Sequence, residues 1–289
     1  MNRRTVHAWL LVLPAVALLA LFTHYPMVAT IWDSFHATPR AGHPGAWVGL
    51  ENYQVMAGDE VFWRSLRNNM IYALATVPVS VALALAMALW VASAMRGRTW
   101  LRVAFFTPTI LPMIAVANIW LFFFTPQYGL LDKAMSLVGS GERNWLGSPQ
   151  TALACVCVVA IWKEAGFFMI FYLAALQSIS PTLAEAAAIE GASRGYYLRR
   201  VVLPLLMPTT LFVAVNALIN AFRLVDHIVV MTHGGPDNAT SLLLFHIYQV
   251  GFSFWDTGYA AALTVVLLLV LGAAAIGQFV FLDRKVHYR

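Results

Sequence analysis

The chain carries little charge. Asp, Glu, Lys and Arg make up only 11% of its 289 residues, whereas 61% are apolar; a soluble globular domain carries roughly 25% charged residues. A soluble protein of this length could bury a good core, but it would still need a polar shell, and there is too little charge to build one. With a positive mean hydropathy, the composition selects lipid as the solvent. The net charge of +5 does not point to nucleic acid, because the basic residues sit in short clusters at the ends of apolar runs rather than on one exposed face. Cysteine is scarce as well. Cys155 and Cys157 stand two apart in an apolar segment; on a helix they point in nearly opposite directions and cannot bridge each other. They read as small membrane-buried residues. The eight histidines show no metal-ligand spacing such as H-x-x-x-H, and no metal is assigned.

What is abundant is uncharged sequence. Such stretches predict an all-α integral membrane protein with about six spans, near residues 8–32, 68–95, 103–126, 151–176, 204–231 and 257–282, each long enough for the roughly 20 residues a crossing needs. The first could pass for a signal peptide, with Arg3 and Arg4 ahead of Ala8 to Phe22 and Ala15-Val16-Ala17 as a cleavage site. The uncharged run continues from Thr5 to Trp32, however, and is read as a retained first helix. No loop is long enough for a separate domain, so residues 1–289 read as one transmembrane domain. Prolines inside the spans (Pro14, Pro26, Pro78, Pro108, Pro112 and Pro208) can kink them.

An even number of spans puts both termini on one side, and basic residues choose the side. With cytoplasmic termini, the inner segments hold Arg3, Arg4, Arg96, Arg98, Arg102, Arg194, Arg199, Arg200, Arg284, Lys285 and Arg289, which is 11 of the 18 Lys and Arg. The outer loops hold Arg40, Arg64, Arg67, Lys133 and Arg143 with eight acids. They also carry turn sequences (His43-Pro44-Gly45, Gly139-Ser140-Gly141, Gly234-Gly235-Pro236) and aromatics such as Trp47, Trp63, Trp145 and Trp255, which anchor at headgroups.

One inner connection differs from the rest. In residues 180–203, Ser180 followed by Pro181 is a capping side chain and then a proline at the first helical position. The Ala-rich stretch to Glu190 forms helix well. Gly191 stands where a helix ends in a left-handed residue, Ser193 can cap a second short helix, and Leu203-Pro204 opens the next span. The expectation is a helix-turn-helix elbow on the cytoplasmic face.

Glu185, Ala186, Ala187, Gly191, Ala192, Leu203 and Pro204 resemble the EAA loop of binding-protein-dependent ABC importers; Glu190 stands where Asp is usual and Leu198 where an aromatic is common. Val48 to Tyr53, Phe105 to Pro108, Tyr128 to Leu131, Ala174 to Ile179, Thr232 to Pro236 and Phe281 to Arg289 are similar to further stretches of the carbohydrate-uptake branch, which includes the maltose and glycerol-3-phosphate permeases. The resemblance implies an inner-membrane permease for a sugar, polyol or glycerol phosphate. Its partners would be a cytoplasmic ATPase dimer, a second permease and an external solute-binding protein. Glu185, Ala186, Ala187, Glu190, Gly191, Ala192, Arg199, Leu203 and Pro204 would couple it to the ATPase. The chain lacks a G-x-x-x-x-G-K-[ST] phosphate loop, so ATP would be used by that partner, with no cofactor on this chain and no enzymatic activity of its own.

Polar groups inside the membrane are expensive and face a cavity or one another. Asn118, Lys163, Glu164, Asn216, Asn220, Arg223 and Asp226 are such groups. Asn216, Asn220 and Arg223 share a helix face, and Arg223 could pair with Asp226 three residues on. A solute path is expected along Asn118, Glu164, Tyr172, Asn216, Asn220 and Arg223, with Phe167 and Phe168 available to stack on a sugar ring. The bland reading is interhelical hydrogen bonding. The competing function is a self-contained secondary transporter, which would show inverted repeats between halves; none is visible.

Overall fold

The computed structural model describes residues 3–40, 45–93, 97–137, 139 and 143–283. His43, Pro44, Met95, Arg96, Ser140, Gly141 and the tail from Arg284 to Arg289 lie outside the described residues. Among those described, the chain is helical, with an isolated bridge between His36 and Trp47 and no strand. In order, the helices are α1 (Arg3–Leu19), α2 (Tyr25–Asp33), α3 (Glu51–Gly58), α4 (Glu60–Ala92), α5 (Arg98–Ile110), α6 (Met113–Phe124), α7 (Leu130–Ser136) and α8 (Ala152–Ser178). They continue with α9 (Pro181–Ile189), α10 (Arg194–Tyr197), α11 (Leu203–Leu205), α12 (Met207–Arg223), α13 (Asp226–Met231), α14 (Leu243–Tyr248) and α15 (Thr257–Asp283).

Four stretches are continuous helices long and apolar enough to cross a membrane, namely Trp9–Asp33, Glu60–Ala92, Ala152–Ser178 and Thr257–Val280. Among the described residues two bent helix pairs also meet that test when each is taken together: Thr99–Ile110 with Met113–Phe124 at 103°, and Arg194–Leu205 with Met207–Arg223 at 63°. The third span, expected as one run over 103–126, is therefore a broken helix. Its cause is local. Leu111 precedes Pro112 and takes an extended conformation (φ −74°, ψ 137°), because the proline ring disfavours helical geometry in the residue before it. Pro26 acts differently: a π-helical turn at Ala20–His24 widens the turn preceding it, where the ring would otherwise meet the carbonyl four residues back. Pro14, Pro78 and Pro108 stay inside helices.

Exposed Leu, Phe, Ile and Trp side chains run along these spans, among them Leu11, Phe22, Leu74, Ile110, Phe122, Leu269 and Ile276. In water such a surface would aggregate; in hydrocarbon it needs no cover, and packing and interhelical hydrogen bonds rather than apolar burial hold the helices together.

The chain gathers into two compact units, Met1–Phe62 with His246–Val270, and Trp63–Phe245 with Leu271–Arg289. In the first unit, polar ties hold the segments together. Asn52 donates to the carbonyls of Ser34 (2.9 Å) and His36 (3.0 Å), fastening the stretch after α2 to α3. Thr38 donates to Asp256 and accepts from the Gly258 N–H at 2.9 Å. Asp59 accepts from the Tyr259 hydroxyl at 2.7 Å, from the Val61 N–H at 2.8 Å and from His246 Nε2 at 3.1 Å.

The second unit is packed around a cluster of Ala84, Ala88 and Val91 from α4, Phe168, Met169 and Tyr172 from α8, and Val202, Leu206, Val213 and Ala217. A smaller cluster joins Met113, Val116 and Phe124 of α6 to Cys155 and Val159 of α8 and Met231 of α13. Between α5 and α8 the backbones come very close. A Cβ on Gly166 would lie 2.2 Å from the Phe105 carbonyl oxygen, so this crossing tolerates only glycine. Buried amides finish the unit: Asn69 donates to the Ala221 carbonyl (3.1 Å) and accepts from the Leu243 N–H (3.2 Å), bridging the C-terminal part of α12 to the start of α14.

Candidate coupling elbow and solute path

The elbow is built by capping chemistry. Ser180 is extended and its hydroxyl accepts from the Thr182 N–H, and Pro181 begins α9 where no N–H is needed. The helix ends in a Schellman motif. The Gly191 N–H bonds to the Ala188 carbonyl (3.1 Å), the Ala192 N–H to the Ala187 carbonyl (2.9 Å), and Gly191 sits at φ +70°, a conformation that costs a side chain with a Cβ. Ser193 then caps α10 by accepting from the Tyr196 N–H at 3.2 Å. A π-helical turn, Leu198–Val202, carries the chain through α11 into α12.

The two arms differ in burial. On α9, Glu185 and Glu190 are exposed and Ile189 is 88% exposed. Past the turn, Tyr197 and Leu198 pack against the core cluster that includes the buried Val202 and Leu206. Arg199 stays exposed, Leu203 is half-buried and Pro204 is exposed. One arm is thus an open surface with an apolar tip, and the other is seated on α4 and α8 through the core.

The polar residues expected along a solute path are only partly brought together. Asn220 donates to Glu164 at 2.6 Å, linking α12 to α8. The neighbouring Lys163 turns elsewhere and donates to the carbonyls of Leu111 (2.5 Å) and Pro108 (3.4 Å). It caps the carbonyl end of α5 at the break, the end of a helix that favours a cation. Asn118 and Asn216 instead bond back to their own helices, to the carbonyls of Ile114 and Phe212, both at 2.8 Å. Arg223 and Asp226 are exposed and do not pair with each other, because α12 ends at Arg223 and Leu224 is extended. Tyr172 is fully buried and donates to Thr210 at 3.1 Å; Phe168 is buried in the same core, leaving Phe167 as the exposed ring of the three.

Beside Glu164 and Asn220 lies a small cavity of about 10 Å³ whose other wall is a face of α4 with Tyr72, Thr76 and Ser80. It is about the size of a single water at most and holds no sugar ring in this conformation. Tyr72 also hydrogen-bonds the fully buried His227 at 3.1 Å. These α4 residues are not among those expected along the path from sequence. A signal was present: Asn69, Tyr72, Thr76 and Ser80 recur at helical spacing inside an apolar span.

Residues 80–288 match the family of the binding-protein-dependent transport system inner membrane component. Similar curated proteins include the sulfoquinovosyl glycerol transport system permease protein SmoG of Agrobacterium fabrum, 34% identical over 90% of this chain and 85% of that protein. Another is the sn-glycerol-3-phosphate transport system permease protein UgpA of Yersinia pestis, 32% identical over 97% of this chain and 95% of that protein. In fold, the chain is similar to a subunit in the crystal structure of a bacterial ABC transporter that imports the acidic polysaccharide alginate, with a TM-score of 0.84, 23% identity, and coverage of 98% of this chain and 96% of that one. A second structure, of the alginate transporter in complex with its alginate pentasaccharide-bound periplasmic protein, matches at a TM-score of 0.82, 22% identical over 96% of this chain and 93% of that one.

Proposed function

Because the chain belongs to the family of binding-protein-dependent transport system inner membrane components, we propose that it is one permease half of an ATP-driven importer of a sugar, polyol or glycerol phosphate. The observation that carries this reading is the elbow: an exposed α9 bearing Glu185, closed by a left-handed Gly191, and joined to a second arm seated in the core. Such a piece suits docking on a cytoplasmic ATPase dimer, with Glu185, Ala186, Ala187, Glu190, Gly191 and Ala192 at the contact. Arg199, Leu203 and Pro204 pass the motion on. The ATPase hydrolyses ATP, and this chain needs no cofactor of its own. A second permease and an external solute-binding protein complete the assembly, and both termini face the cytoplasm. Residues 1–289 act as one transport domain.

The solute passes between α4, α8 and α12. Glu164 and Asn220 are the groups that would exchange their mutual hydrogen bond for solute hydroxyls, with Tyr72, Thr76 and Ser80 opposite and Phe167 nearby to stack. Asn118, Asn216, Tyr172 and Arg223 serve the path only if opening frees them from their present positions. The relatives named for sulfoquinovosyl glycerol and sn-glycerol-3-phosphate support a solute with a glycerol moiety. The test is solute-stimulated ATPase activity of the purified complex against a panel of sugars, polyols and glycerol-3-phosphate. Stimulation by a member of the panel is expected. An ATPase that responds to none of them while uptake follows an ion gradient overturns the reading.

A further inference from the structure

Where α6 leaves its span and α8 enters its own, the second unit holds an apolar cleft of about 550 Å³. Trp120 and Phe124 of α6, Leu131 and Ala134 of α7, and Ala154 and Val158 of α8 are among its walls. The polar groups in that lining are already engaged. The Trp145 indole N–H donates to Asp132 at 2.9 Å, the Thr151 hydroxyl to the Trp145 carbonyl at 2.6 Å, and the Cys155 thiol points at the same carbonyl at 3.9 Å. Among the described lining residues a hydroxylated solute would find no side-chain donor free. The occupant must be apolar.

Two further observations say which apolar occupant. The cleft is continuous with surface that faces hydrocarbon, since Phe122, Leu130 and Val158 beside it are exposed. Its rim is cationic. The Arg143 guanidinium lies over the Trp145 ring, 5.9 Å from its centroid, and Lys133, next to wall residue Ala134 on α7, is exposed. Asp132 holds this rim in place by accepting from the backbone N–H groups of Gln127 (2.9 Å) and Arg143 (3.3 Å) as well as from Trp145, so the carboxylate beside the two cations is spent internally. We propose that the cleft seats an acyl chain of an anionic phospholipid from the surrounding bilayer, with Arg143 and Lys133 meeting the headgroup phosphate.

The test uses the full chain, purified with the subunits that accompany it, in nanodiscs containing phosphatidylglycerol or phosphatidylethanolamine with a photoactivatable acyl chain. Adducts are mapped by mass spectrometry. They are expected to concentrate in residues 120–134 and 145–158 and to favour phosphatidylglycerol. Arg143→Gln should lower the phosphatidylglycerol adduct about fivefold, the scale of one surface cation near anionic lipid, and lower the phosphatidylethanolamine adduct less, because the ethanolamine ammonium offsets the charge of its phosphate. Ala134→Phe and Ala154→Phe fill the cleft from two sides and should each suppress labelling with either lipid; Ala134 lies on a short exposed helix, which keeps the test available should Ala154→Phe fail to fold. Labelling spread evenly over the lipid-facing helices, labelling indifferent to all three substitutions, or a helix of a second permease cross-linking in the cleft instead of lipid overturns the proposal. Labelling needs neither solute nor ATP, so its outcome is independent of the transport reading.

Discussion

At the residue scale, many polar side chains of the spans are committed to internal hydrogen bonds, several of them to backbone carbonyls. Asn69 spends its amide on the Ala221 carbonyl and the Leu243 N–H, both buried. Asn69→Leu strands both and should cost about 1–3 kcal/mol, seen as a lower melting midpoint in detergent; an unchanged midpoint would show that the bridge is dispensable. Glu164 is different in kind, because its partner Asn220 lies against a cavity. Glu164→Gln keeps an acceptor for Asn220 and should leave uptake near normal. Glu164→Leu leaves the amide unpaired and should raise the solute concentration needed for half-maximal uptake. A purely structural role would lower the melting midpoint and leave that concentration alone. These contacts were unevenly legible. Spacing put Asn216 and Asn220 on one face, yet spacing cannot tell an amide that turns back to its own helix, as Asn216 does, from one that reaches across, as Asn220 does.

At the element scale, what was legible is what local chemistry determines. Ser180, Pro181, Gly191 and Ser193 mark the ends of the elbow helices in the sequence and occupy those ends in the structure. The broken third span was not legible, because Pro108 and Pro112 look alike in sequence while only Pro112 stands at the break. Lys163 reaches that break from a helix distant in sequence. Lys163→Met removes both its bonds to the end of α5 and should destabilise by about 1–3 kcal/mol, measured as greater protease sensitivity between α5 and α6; equal sensitivity would count against the clamp.

The junction of Asp59, His246 and Tyr259 carries a pH dependence. Burial holds His246 below its ordinary value despite the carboxylate beside it. Burial raises Asp59, but the Tyr259 hydroxyl and the N–H groups of Val61 and Phe62 outweigh it and bring the group below the usual carboxylate range. The pair is a neutral imidazole donating to a carboxylate. Below the ordinary histidine value of 6.5 the unfolded chain binds more protons than the folded one, and Asp59 adds to the same trend as pH falls through the carboxylate range, so stability falls with acidification. The melting midpoint should therefore drop between about pH 7 and about pH 5. His246→Gln should flatten that drop, and an equally steep drop in the variant would refute the assignment.

At the scale of the whole molecule, a composition with 11% charge indicated lipid as the solvent, and uncharged runs of twenty or more residues indicated helices, which satisfy their own backbone in hydrocarbon. The number of crossings was nearly legible; the bends were not, since Pro112 at a break looks in sequence like Pro14, Pro78 and Pro108, which stay inside helices. The elbow is the one place where local signals and global role coincide, and the account stands on it. The most direct measurement is ATP-driven uptake in proteoliposomes holding the complete complex, compared for wild type, Gly191→Ala and Gly191→Val. The account predicts that the Val variant inserts and assembles but loses coupling, hydrolysing ATP without importing solute, with Ala in between because φ +70° strains a β-branched residue more than a methyl group. Uptake by Gly191→Val at the wild-type rate would contradict it.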